Sequence, residues 1–258
     1  MSLSSLEETD LIKKDLEIFN AIKEYRLAQL GGPALSIIAK HLGLTSYLNF
    51  FFEHNKSTAE YHSNYHAMCV ALNCYEGARR LQLSLSETRI VVLAGIFHDF
   101  NHSGGTLTDD KNIDIAVEGL TLAYNQIGLE ACEAALQFGV LAPLLTPEEI
   151  AKTIQTLRIT KYPYEKDPIT ITEMIIRDAD LMQPYEENVS VLKNQYEGLR
   201  IEIERAYPMK FSAKEFAIGQ RDWLDQNVKW YTTWALNKAL YCDWIKIKQR
   251  LFETMNGA

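Results

Sequence analysis

Serine or threonine followed three residues later by glutamate occurs at Ser57/Glu60, Ser84/Glu87, Thr146/Glu149, Thr170/Glu173 and Ser212/Glu215. At that spacing the hydroxyl can accept from an orphan amide at a helix start while the carboxylate reaches back to another, so each pair is a candidate capping box. Strand signals are nearly absent, with no sustained alternation and no Asn-Gly or Asp-Gly turn between apolar runs. The expected fold class is therefore all-α. Without an internal repeat, low-complexity tract or linker, residues 1–258 read as a single compact multi-helix bundle.

Apolar periodicity fills in the helices. Ile12, Leu16, Phe19 and Ile22 form a stripe ending before the breaker Gly31-Gly32-Pro33, and further helices are expected over 34–42 and 47–52. A helix over about 58–81, capped by Ser57, would carry His62 and His66 on one face. The run 86–99 is too apolar for a surface helix and should cross the core. Helices over 109–125 and 129–138 are expected on either side of a break at Gly128. Pro147, at a first helical position, opens a helix ending near residue 160, and Thr170 opens another over 171–182. A long helix over 186–207 carries Val189, Leu192, Tyr196, Leu199 and Ile203, and helical patterning resumes after Ser212 and continues, with a bend, to about residue 252.

At 258 residues and 47% hydrophobic content the chain can bury a substantial core. A net charge of -8, with lysine and arginine scattered, argues against a nucleic-acid polymer as partner. No apolar run is long enough to span a membrane, and no basic segment followed by an apolar one opens the chain, so a cytoplasmic protein is expected. Cys69, Cys74, Cys132 and Cys242 lack CxxC spacing and read as reduced core thiols. Nothing in the sequence reports an oligomeric state.

The chemistry concentrates in His98-Asp99-Phe100-Asn101-His102, at the end of the apolar run 90–97 and followed by Ser103-Gly104-Gly105. With His62 and His66 it makes two i,i+4 histidine pairs, one beside a carboxylate. Asp180 lies on a mostly apolar stretch and needs a cation or hydrogen-bond donors to offset burial; Arg177 is the ordinary partner, and Asp178 is the alternative carboxylate. Histidine and aspartate without cysteine suit borderline to hard divalent ions and leave positions open for water, as in catalytic sites. Water on such ions is a nucleophile at neutral pH, which makes phosphoester hydrolysis the leading chemistry.

Tyr61-His62-(x3)-His66-Ala67, His98-Asp99-(x2)-His102-Ser103-Gly104 and Asp178-Ala179-Asp180-Leu181-(x2)-Pro184 resemble, in order, the three signatures of HD-domain metal-dependent phosphohydrolases. The version is that of cyclic nucleotide phosphodiesterase catalytic domains, over about 47–230. The resemblance implies that His66, His98, Asp99 and Asp180 hold a tight ion, commonly zinc with iron possible, and that Asp99 bridges to a second, magnesium or manganese. It implies His62 as general acid, His102 in the shell around the second ion, and Glu130 orienting water. It also implies substrate contacts from Tyr61, from Gln220 to a purine edge, and from Trp223 by stacking. The pattern departs where Ala131-Cys132 follows Glu130 in place of Asn-His-His, where Gln183 replaces an asparagine, and where Lys161-Tyr162 replaces an Asp-Met pair.

The expected function is hydrolysis of a 3′,5′-cyclic nucleotide phosphodiester to the 5′-monophosphate, by attack of a bridging hydroxide with proton donation from His62. Its partner would be a small-molecule phosphoester or nucleotide. The alternatives are an HD phosphatase acting on nucleoside monophosphates or another small phosphoester, and a metal-retaining module that binds a nucleotide without turnover. A diiron oxygenase would need more histidine ligands than His41 and His54 offer.

Overall fold

The computed structural model describes residues 31–138, 144–182 and 189–241, and every regular element among them is helical. In chain order these are α1 (Gly31–Leu42), α2 (Thr45–His54), α3 (Asn64–Arg80), α4 (Leu85–Phe97) and α5 (Asp109–Phe138). They are followed by α6 (Pro147–Arg158), α7 (Ile171–Asp180), α8 (Val189–Ala206), α9 (Ala213–Asn227) and α10 (Thr233–Tyr241). The stripe 12–22, the connection 183–188 and the helix end near 252 lie outside the described residues.

Ser84, Thr146, Thr170 and Ser212 each accept from the amide of the glutamate three residues on, whose side chain returns to the cap amide. Ser57 does not cap a helix. Its Oγ donates to the carbonyls of His62 (3.2 Å) and His102 (2.9 Å), pinning a loop over 55–63, and α3 starts only at Asn64. Gly31-Gly32-Pro33 stands at the first described positions of α1, where a proline in the first turn removes no intrahelical bond. One breaker expectation fails. Gly128 lies inside the 30-residue α5, since an isolated glycine costs a helix only about 1 kcal/mol. The bend expected beyond Ser212 is a break between α9 and α10.

The core helix is α4, buried on every side from Ile90 to Phe97. It packs against α3, α6 and α7. Gly95 sets the approach of α3, because a Cβ there would lie 3.0 Å from the Ala71 Cα. The apolar side chains of α1 to α7 join in one buried cluster, to which α8, α9 and α10 add Leu192, Tyr196, Phe216 and Trp234. No described helix is long and apolar enough to cross a membrane. Among the cysteines, Cys74 is buried, Cys69 half-buried and Cys132 exposed rather than in the core, while Cys242 lies outside the described residues.

Candidate metal centre

The apolar α4 ends on the residues that carry the chemistry. His98 follows its last turn, Asp99 and Phe100 stay buried, and the chain then turns through Asn101, Gly104 and Gly105, all at positive φ. From α3, buried His66 faces Asp180 at the end of α7, with Nε2 3.1 Å from Oδ1. Asp99 Oδ2 is 3.5 Å from His66 Nε2 and 3.0 Å from His98 Nε2, and His98 Nε2 lies 3.7 Å from Asp180 Oδ1. His66, His98, Asp99 and Asp180 are thus brought together by three helices.

Two of these groups are short of partners. His98 donates through Nδ1 to the Gly95 carbonyl (2.9 Å), which turns Nε2 toward the carboxylates. Although His98 Nε2 and Asp99 Oδ2 are close, they lack the alignment of a hydrogen bond, and both are buried without one. Burial opposes a charge on His98, but Asp99 and then Asp180 outweigh it and raise its pKa to about 9. Burial likewise opposes charge on Asp99 and Asp180, yet the surrounding histidines hold both carboxyls below the usual range. Orphaned nitrogen and oxygen donors, held where the local field favours positive charge, fit a divalent cation.

The expected Asp178 and Arg177 alternatives go elsewhere. Asp178 is fully buried and accepts from the amides of Tyr231 (3.0 Å) and Thr232 (2.9 Å) and from Thr232 Oγ1 (2.8 Å), tying α7 to the start of α10. Arg177 donates to the Ile159 carbonyl and lies over the Tyr164 ring, with Cζ 3.6 Å from its centroid.

His62 sits in the loop before α3, not on its face, and still reaches the group, its ring centroid 5.9 Å from that of His66 and 3.8 Å from that of His102. Its Nδ1 is 2.5 Å from Glu202 Oε2 on α8, and Glu202 Oε1 accepts from the amides of Tyr61 (2.5 Å) and His62 (3.2 Å). Desolvation lowers the His62 pKa, but Asp99 and Glu202 overcome it and set it near 8. His102 is pushed the other way, to about 4, by burial and then by His62. The Gly104 amide donates to its Nδ1 (3.1 Å), and Asn112 Nδ2 lies 2.9 Å from its Nε2. His62, Asp99 and His102 form a second group with metal-ligating atoms within 4.8 Å of one another.

These residues floor a cleft of about 890 Å³ whose walls include Tyr61, Asp109, Tyr162, Gln220 and Trp223. Trp223 Nε1 donates to Tyr162 Oη (3.1 Å), and the two rings meet edge to face. Asp109 accepts from the Tyr162 amide (2.6 Å), and burial raises its pKa to about 6. Glu130 is a correction. It is exposed on α5, accepts from Gln126 Nε2 (2.9 Å), and is absent from the cleft walls, because unbroken helix carries it past the site. Glu202, Asp109 and Asn112 were missed by sequence reasoning. Glu202 lies 140 positions from His62 and belongs to an unremarkable amphipathic stripe, so no local signal marks it.

No family model matches the chain, and no curated protein does. Among solved structures, a Leishmania phosphodiesterase, LmjPDEB1 in complex with IBMX, is similar at 15% identity with a TM-score of 0.44, over 93% of this chain and 88% of that one.

Proposed function

We propose that this chain is a metal-dependent phosphohydrolase whose substrate is a 3′,5′-cyclic nucleotide. The observation that carries the reading is the set of buried His66, His98 and Asp99 with half-buried Asp180, in which the orphaned atoms of His98 and Asp99 lie at the floor of a nucleotide-sized cleft. These four side chains would hold the tighter ion, and Asp99 would also face a second one. Divalent ions in that position supply a nucleophile at neutral pH and offset charge on the phosphoryl oxygens.

The chain's own groups account for the rest. His62, with a pKa near 8, is protonated at neutral pH and presents a proton to the leaving ribose oxygen, while Glu202 holds its other nitrogen. His102, with a pKa near 4, stays neutral beside Asp99, its ring held by the Gly104 amide at Nδ1 and by Asn112 at Nε2. Gln220 would meet the base edge and Trp223 its face, with Tyr162 fixing the indole. Among the described residues lining the cleft there is no lysine or arginine, while Asp99, Asp109, Asp110, Asp180 and Glu202 are all acidic. Such walls favour a singly charged phosphodiester over a polyphosphate, whose extra phosphates would find no cation.

The test is metal analysis of the purified protein followed by a phosphoester screen. Expected is at least one tightly held divalent ion per chain and conversion of cyclic AMP or cyclic GMP to the 5′-monophosphate. Metal-loaded protein that leaves cyclic nucleotides intact but cleaves nucleoside monophosphates would shift the assignment to a phosphatase. Tight binding of unhydrolysed nucleotide would shift it to a binding module.

A further inference from the structure

Helix α8 meets the two histidine-bearing loops through one face, on which Gly198, Glu202 and Arg205 recur at helical spacing. A Cβ at Gly198 would stand 2.7 Å from the Glu60 carbonyl oxygen, so the loop over 55–63 lies directly on the helix backbone. One turn on, Glu202 takes the Tyr61 and His62 amides and the His62 ring. Arg205 completes the face. Its guanidinium grips the Glu60 carboxylate with both terminal nitrogens, Nη1 to Oε2 at 3.0 Å and Nη2 to Oε1 at 2.6 Å, and Nη1 also donates to the Gly104 carbonyl at 2.7 Å.

These two acceptors flank the histidines. Glu60 stands two residues before His62, and Gly104, two residues after His102, donates its own amide to His102 Nδ1 (3.1 Å). Between them the His62 and His102 rings lie 3.8 Å apart, centroid to centroid. We propose that Arg205 is a positioning residue which, by clamping Glu60 to Gly104, sets the His62 ring against His102 and aims its proton into the cleft; the inference rests on the proton-donating role of His62 given above. The clamp needs a fork, since three N–H bonds reach two acceptors at once, and an ammonium on a flexible stem does not reproduce that geometry. As an ion pair the contact is exposed on both sides and adds little to stability, so a large effect of Arg205 on turnover has to come through geometry.

Leaving-group dependence separates aim from damage. Bis(p-nitrophenyl) phosphate expels p-nitrophenolate without help from a proton, whereas a departing ribose oxygen needs one. Arg205→Ala should keep the wild-type melting temperature and metal content, and should lower kcat for a cyclic nucleotide at least about tenfold with KM unchanged. Its loss on bis(p-nitrophenyl) phosphate should be much smaller. Arg205→Lys keeps the charge without the fork and should recover less than about half of the loss; recovery beyond that would assign the effect to charge and overturn the clamp. Independently of turnover, the His62 Nδ1 proton on Glu202 should give a downfield resonance in proton–nitrogen correlation spectra of the full chain, assigned by its absence in His62→Gln, and it should be lost or broadened in Arg205→Ala. Equal losses on the two esters, or a resonance unchanged in Arg205→Ala, overturn the proposal. A wild type that cleaves neither ester overturns the functional reading instead, and the resonance then decides whether Arg205 positions His62.

Discussion

Glu202 on α8 holds His62 at the cleft wall, with Oε2 2.5 Å from Nδ1 and Oε1 on the backbone amides of Tyr61 and His62. One buried carboxylate therefore fixes the loop before α3 and the charge state of its histidine. That arrangement, rather than a helix face, is what aims His62 at the candidate metal ligands.

The first prediction concerns that pair. A proton-donating His62 works below its pKa, so activity should fall as pH rises through about 8. Burial pulls this pKa down while Asp99 and Glu202 hold it up, so Glu202→Gln should move the alkaline limb to lower pH. Turnover near neutrality should drop about 10- to 100-fold, and ion content should not change. A pH profile of kcat decides it: an alkaline limb that stays in place would remove Glu202 from this role.

Metal affinity should itself depend on pH. Free of metal, His98 carries a proton up to about pH 9, and a cation must displace it. Affinity should rise with pH up to that value, by about tenfold per unit if one proton is released. Chelator competition across pH 6 to 9 measures the slope, and a flat response would mean that His98 is not a ligand.

Asp178 and Asp180 are separated by one residue and should fail in different ways. Asp180→Ala should strip the ion and abolish activity with a modest change in the metal-free melting temperature. Asp178→Ala leaves the half-buried Tyr231 amide and the buried Thr232 amide and hydroxyl without their acceptor, and should cost about 3 kcal/mol of stability while the folded fraction still binds metal. Metal content and thermal melts separate them, and a metal-loaded Asp180→Ala would point to the wrong carboxylate.

Gly105 tests the support of Glu202. It adopts φ +84°, and a Cβ would collide with the Glu202 carbonyl oxygen. Gly105→Ala should therefore displace α8 and lower activity more than it lowers thermal stability. Equal kcat in the variant and the parent would show that α8 tolerates the shift without moving the carboxylate.

The elements legible in the sequence were those set by local chemistry. The boxes at Ser84, Thr146, Thr170 and Ser212 close within four residues, so their spacing suffices to start a helix. Ser57 has the same pattern but is claimed by the carbonyls of His62 and His102, one of them 45 residues away, and its helix starts later. Gly128 departs from its breaker pattern for the opposite reason, because α5 continues past it with room to spare.

The residue types of the site follow the same division. By itself the sequence determined the histidine and aspartate donor set and its place at the end of an apolar helix, since burial of α4 carries His98 and Asp99 inward whatever packs around them. Only the tertiary structure decided that Asp180 rather than Asp178 faces the histidines, that Glu202 rather than Glu130 joins the cleft, and that His62 is aimed from a loop. Successive helical residues point about 100° apart, so which carboxylate meets the site depends on how whole helices are rotated against one another. That rotation is set by packing across the core, which no local pattern encodes.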